Sequence, residues 1–437
     1  MSPIVYRICT LLEQLLQGVP IGTNLGLYRL LFALLSGHFL IERGAVFPAL
    51  ERLGLRKNEV HHASAALREG HWKMSTLIDN WQKWVRQEGS FQTHYYEGYR
   101  PVPCDLTAFY RPHLKGLTSK HYCQVADKAL PAMVFGVAVR VGSISKQRLG
   151  IPILLLRGEA NESDAKLERR LVQTVAKSLQ PDEVIIADAG FELCDLLATG
   201  KPFVVRLPKN ATVRRNFLPE YKGHGRPAEY GELVRPLPRT HSGKEIASTP
   251  PDRSVCWKEG KRGLRATLFS EVVLKSDRPG GTVFSVVAVH DPRYREPLLL
   301  ATNLSVSPEA LRSLYRDRWA VEQLPLSAKP MLGCERAFVS GSESRYRLPE
   351  LALLCGSILS YMAACSTPVA TGFWDRASRP TCGRLRRVLG RLDFSKLPSP
   401  VGQLRKKASV TAHLLTGVRG HRRQKANATQ TNTPNTP

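Results

Sequence analysis

YRDRWAVEQLPLSAK, residues 315–329, is the most tightly patterned stretch of this 437-residue chain. At 100° per residue, Tyr315, Arg318, Glu322 and Lys329 fall at about 0°, 300°, 340° and 320°, so a helix here lines them along one stripe. One face then carries an acid flanked by two cations and a phenol. Taken alone, such a helix reads as a solvated, salt-bridged surface with Arg318 and Glu322 as an i,i+4 pair. Pro325 and Pro330 fall inside the stretch, and each removes a backbone donor and kinks a helix. Glu322 precedes the kink, whereas Lys329 does not.

Upstream, the apolar period changes. Residues 1–98 read as all-helical, with Leu27, Leu30, Leu31, Leu34 and Leu35 on one face. Residues 43–68 look like a helix-turn-helix. With Gly54 in the turn, Ala49, Leu53, Leu55, Val60 and Ala63 take its buried positions, and Lys57, His61, Ser64 and Arg68 face outward as a surface for DNA. An ordinary helical hairpin carries the same pattern. From Pro101 the period is that of strands: PVPCDLTAFY, then AMVFGVAVRV, then IPILLLRG. A helix capped by Asn161 or Ser163 follows, then the apolar strand EVIIADAGF ending at Asp188, a helix over 191–199 and the strand KPFVVRLPK. Three strands, helix, strand, helix, strand is the order of a ribonuclease-H-like core. Residues 210–283, rich in Pro, Gly, Arg and Lys, read as a β-rich insert, after which FSVVAVHD and PLLLATN restore apolar strands.

Composition sets the class of partner. Lys and Arg number 63 against 37 Asp and Glu, a formal net charge of +26, which calls for a polyanion such as DNA, RNA or an anionic membrane. Nine cysteines without a CxxC pair point to a reduced cytoplasm. No signal peptide is legible, and the uncharged run 351–374 is interrupted too early to span a bilayer, so it reads as a buried core helix. From Ser366 onward fourteen basic residues face only Asp375 and Asp393, and the final ANATQTNTPNTP reads as disordered.

The pattern Y-x2-R-x3-E-x6-K resembles the YREK signature of the DDE transposases of bacterial insertion sequences. In the same resemblance Asp105 in DLT is similar to the family's D-x-T, and Asp188 in DAGF to its D-x-G-F. It covers most of residues 99–365 and implies an α/β, ribonuclease-H-like catalytic core with a β-rich insert, preceded by an all-helical DNA-binding domain. The implied division is 1–98 for DNA binding, 99–209 and 284–365 for the core, 210–283 for the insert and 366–437 for a basic tail. Asp105, Asp188 and Glu322 would be the catalytic, metal-binding carboxylates. Tyr315, Arg318 and Lys329 would contact DNA phosphate, as would Arg206 and Lys209, and Tyr294 or Trp257 of the insert would hold a flipped base.

Phosphodiester hydrolysis needs an activated water, charge relief on the phosphoryl oxygens and a stabilised leaving oxygen, which two hard cations about 4 Å apart supply together. Three carboxylates without a His or Cys cluster suit Mg²⁺, with two ions expected and Mn²⁺ as a substitute, better than Zn²⁺. The implied partners are element-end and target double-stranded DNA and a second copy in a homodimer, with no membrane, in a bacterial cytoplasm beside the nucleoid. The implied activity is cut-and-paste transposition through terminal inverted repeats. Two other readings stay open: a nuclease of the same fold without strand transfer, and a catalytically inactive DNA-binding regulator.

Overall fold

The computed structural model describes residues 3–397 other than 118, 222, 337, 338, 369 and 371, together with Leu404. The basic residues from Arg405 onward and the final ANATQTNTPNTP lie outside the described residues.

Six helices come first: α1 Pro3–Leu15, α2 Asn24–Leu35, α3 His38–Ile41, α4 Val46–Arg52, α5 Lys57–Glu69 and α6 Met74–Glu88. In α2 nearly every residue is apolar, and the helix is buried almost all round. A side chain at Gly26 would begin 2.8 Å from Ala66 Cβ, so the glycine sets how closely α2 and α5 approach. Between α4 and α5 the turn passes through Gly54 at φ +83°, a conformation that glycine adopts without penalty. Ala49, Leu53, Val60 and Ala63 are buried. Ser64, expected outward, is also buried, because α5 packs against α2, α4 and a later helix.

The rest is built on one mixed sheet of thirteen strands. Its first part is β1 Arg100–Tyr110, β2 Lys128–Ile144, β3 Gln147–Arg157, α7 Asp164–Ser178, β4 Glu183–Ala187, α8 Leu193–Leu197 and β5 Phe203–Arg206. Strands β1, β4 and β5 run parallel, and β2 is antiparallel to both β1 and β3. Pro101 and Pro103 are tolerated in β1 because they precede its pairing with β2, which begins at Cys104. Strand β4 is buried on both faces, hence its unbroken apolar run. Ile185 and Ala187 face α7 and α8, while Val184 and Ile186 face the opposite helical layer.

Beyond β5 the sheet continues through β8 Leu298–Thr302, β7 Phe284–His290 and β6 Arg262–Val273, all antiparallel. The segment 210–283 thus lengthens the core sheet, with β6 pairing directly on β7. A large mixed sheet with helices on both faces fits the ribonuclease-H-like core expected from the element order.

Four helices close the fold: α9 Pro308–Arg316, α10 Trp319–Leu326, α11 Ser344–Ala364 and α12 Cys382–Leu389. Helix α11 is buried along almost its whole length. On one side Trp81 Nε1 donates to Ser357 Oγ at 3.2 Å, and on the other Ser357 Oγ donates to the Gly150 carbonyl of β3 at 3.1 Å. One apolar cluster therefore runs from α1 and α2 through α11 to β2 and β3. Among the described residues no helix is long and apolar enough to cross a membrane.

Candidate active site

The site follows from strand register. Pro103 of β1 lies opposite Ile186 of β4, and two residues further on the same parallel pairing sets Asp105 beside Asp188. Asp105 shares its face with Phe109, and Asp188 shares its face with Val184 and Ile186. Both carboxylates therefore point to the layer that holds α9 and α10.

Those two helices were expected to be one. Instead the chain turns at Asp317 and Arg318, then resumes as α10, and a π-helical turn over Ser327–Met331 follows. Pro325 and Pro330 lack the amides that a continuous α-helix would use, and the wider turn is closed by Leu332 N donating to the Ser327 carbonyl at 3.2 Å. Lys329 lies in the π-helical turn and makes no ion pair with the three carboxylates among the described residues, although Asp105 is close enough to act on its charge. The lysine is half-buried, with its ammonium 5.2 Å from the centre of the Phe109 ring, and burial holds its pKa below the usual lysine value.

Arg318 occupies the centre. Its guanidinium lies 2.7 Å from Glu322, 3.5 Å from Asp105 and 3.6 Å from Asp188. Burial alone would lower its pKa, but the carboxylates and the Tyr315 phenol together push it up. The Tyr315 hydroxyl donates to Asp188 Oδ1 at 3.0 Å, and burial beside that carboxylate raises the phenol's pKa. Burial also pushes the Asp105 carboxyl up to about 6, against the pull of Arg318 and the Leu106 amide. Arg206, at the end of β5, approaches Asp188 to 3.9 Å, whereas Lys209 is ion-paired with Glu296. Lys57, His61 and Arg68 are exposed on α5, part of the helical layer.

One carboxylate escaped the sequence reading. Glu168 of α7 reaches Gly190, where an added side chain would begin 3.2 Å from Glu168 Oε1. Burial, with Asp164, Asp105 and Glu192 nearby, pushes it up to about 7. Its only sequence signal is an acid placed directly beside the apolar stripe of Leu167 and Leu171.

Among the described residues no three His, Cys, Asp or Glu side chains stand at metal-holding spacing, with the Arg318 guanidinium lying between the carboxylates. The donor set nonetheless fits a hard divalent cation: three carboxylates, no thiolate and no imidazole, already converging on a positive charge. Beside it opens a cavity of about 770 Å³ lined by eight basic side chains and two acidic ones. Arg206, Arg318 and Tyr315 belong to both the cavity wall and the carboxylate cluster, so a polyanionic strand in the cavity would reach the carboxylates.

A mixed sheet carrying clustered carboxylates beside a cationic cavity is an arrangement able to receive a phosphate polymer. The sequence pattern of one family, the transposase DDE domain, matches residues 141–330. That span includes Asp188 and Glu322 and begins after Asp105. It supports a DDE transposase, a transposase- or nuclease-type enzyme whose substrate is DNA and whose kind generally uses divalent metal ions. No curated protein sequence matches the chain.

Proposed function

We propose that this chain is the cut-and-paste transposase of an insertion sequence, bearing the YREK signature. It binds terminal inverted repeats as a homodimer on paired ends, then cleaves and transfers DNA strands. The observation that carries the reading is the convergence of Asp105, Asp188 and Glu322 on one cationic point.

In this reading the three carboxylates hold Mg²⁺, which when bound supplies Lewis acidity and an activated water. Arg318 must withdraw first, and a DNA phosphate in the cavity gives its guanidinium an alternative anion. Tyr315 holds Asp188 by its hydroxyl bond, which fixes one carboxylate while Arg318 moves. Arg206 steadies the strand beside it by phosphate contact, which positions DNA without reading sequence. Lys57, His61 and Arg68 form the face that meets the repeat.

The test pairs strand nicking in Mg²⁺ with gel-shift affinity for element-end DNA, for wild type and Asp188→Ala. The variant should bind and not cleave, and wild type should also join the cleaved 3′-hydroxyl end to target DNA. Cleavage by Asp188→Ala at the wild-type rate would remove the assignment. Cleavage by wild type without joining would leave a nuclease.

A further inference from the structure

The break between α9 and α10 encloses a carboxylate that touches none of the site groups. Asp317 is fully buried at 0 % exposure. Its Oδ2 accepts from His94 Nδ1 at 2.6 Å and from the Tyr96 hydroxyl at 3.0 Å. Its Oδ1 lies 2.9 Å from Arg148 Nε, an ion pair whose geometry is off the hydrogen-bond line. Arg148 also donates through Nη1 to the Arg316 carbonyl at 3.1 Å.

These partners belong to the sheet. His94 N donates to the Val141 carbonyl of β2 at 3.1 Å, Tyr96 bridges to Tyr99 just before β1, and Arg148 opens β3. The break is thereby clamped to β2 and β3 and to the segment leading into β1, and β2 pairs directly with the stretch of β1 that carries Asp105. Burying a carboxylate is expensive unless its partners are in place, so the clamp stabilises one arrangement of the break and penalises others. What the break sets is the phase between α9, which carries Tyr315, and α10, which carries Glu322. Arg318 is the very next residue.

We propose that Asp317 is a positioning residue: the His94, Tyr96 and Arg148 clamp acts through it to hold Arg318 and Glu322 against Asp105 and Asp188. The claim rests on the function proposed above, and its test separates the two. Asp317→Asn keeps the size of the side chain and removes its charge. Cleavage kinetics on element-end DNA, Mn²⁺ binding with and without end DNA and circular dichroism are measured together. A misplacement of about 1 Å costs about 100-fold in rate, so kcat should fall by about that factor while KM for DNA stays within about twofold. Mn²⁺ affinity should weaken by about tenfold as Glu322 loses its position. Should Asp317→Asn fail to fold, Tyr96→Phe decides, because it deletes one hydrogen bond at a partly exposed residue and should lower kcat by about tenfold. A folded variant that melts earlier but keeps wild-type kcat and Mn²⁺ affinity would make the clamp purely structural and overturn the proposal. If wild type binds Mn²⁺ without cleaving DNA, the proposed function falls and the Mn²⁺ comparison alone judges Asp317. A wild type that binds no Mn²⁺ either alone or with end DNA bound overturns both.

Discussion

Arg157 and Arg318 each place one guanidinium among several carboxylates, yet the two are held in different ways. Arg157 of β3 grips Glu350 of α11 in a fork, with Nε and Nη2 at 2.6 and 2.7 Å, and reaches half-exposed Glu343 at 3.0 Å. Arg318 faces three carboxylates and has one short contact, to Glu322, while the other two stand at 3.5 and 3.6 Å. A fork of two short bonds is geometrically specific and joins sheet to helix. Three acids facing Arg318, with Arg206 reaching only Asp188 and at 3.9 Å, leave surplus negative charge that a further cation can answer. The lesson is that burial does not distinguish a site from a strut, because both arginines are largely enclosed. Unbalanced charge does.

The largest effect should come from removing that surplus. Asp188→Ala should reduce strand cleavage by about three orders of magnitude or more, since a cation-holding carboxylate acts as part of a unit, with gel-shift affinity for end DNA retained. Arg157→Ala strands Glu350 uncompensated in the core and should destabilise the fold by about 3 kcal/mol, read as a lower denaturation midpoint, without changing Mn²⁺ affinity in the folded protein. Arg318→Ala should act in the opposite sense on the site: Mn²⁺ binding in the absence of DNA tightens by about tenfold, because the competing charge is gone, and calorimetric titration reads it directly. If Mn²⁺ affinity responded equally to both arginine substitutions, the distinction between site and strut would be lost.

The smallest effect concerns Glu168. Its folded pKa of about 7 lies above the ordinary value of 4.5, so the folded protein holds that proton more tightly. The stability it contributes is therefore complete below about pH 4.5 and is lost as pH rises through 7. Glu168→Gln should flatten this slope and raise stability at pH 8 by about 1 kcal/mol once solvent screening is discounted, as thermal melts at pH 5 and 8 would record.

Much of the core could be read from the chain because apolar period is a local signal. The runs at 101–110, 132–141 and 183–187 are strands where expected, and Ser163 caps α7 by accepting from Lys166 N. Asp105, Asp188, Tyr315, Arg318 and Glu322 were all singled out by spacing and resemblance, and they stand together. The break at Asp317 was not legible, since no glycine or proline marks it and its cause lies in residues 94, 96 and 148. The π-turn is signalled only by prolines whose outcome depends on packing. Ser64 and Glu168 share one reason: a polar residue next to an apolar stripe is turned inward or outward by what covers it, and that cover is remote in sequence.

The burial of α11 also bears on how the chain is made. Its Cys355 thiol meets the Leu31 carbonyl across 324 positions of sequence. At about 5–20 residues per second, a ribosome takes roughly 15–60 s to deliver the helix that covers α2. Through that interval α2 can pack on α5 but the side it turns to α11 stays uncovered, which exposes the young polypeptide to aggregation and makes it a client for chaperones that shield apolar segments. Translation speed over residues 36–350 should therefore govern how much soluble protein a cell obtains.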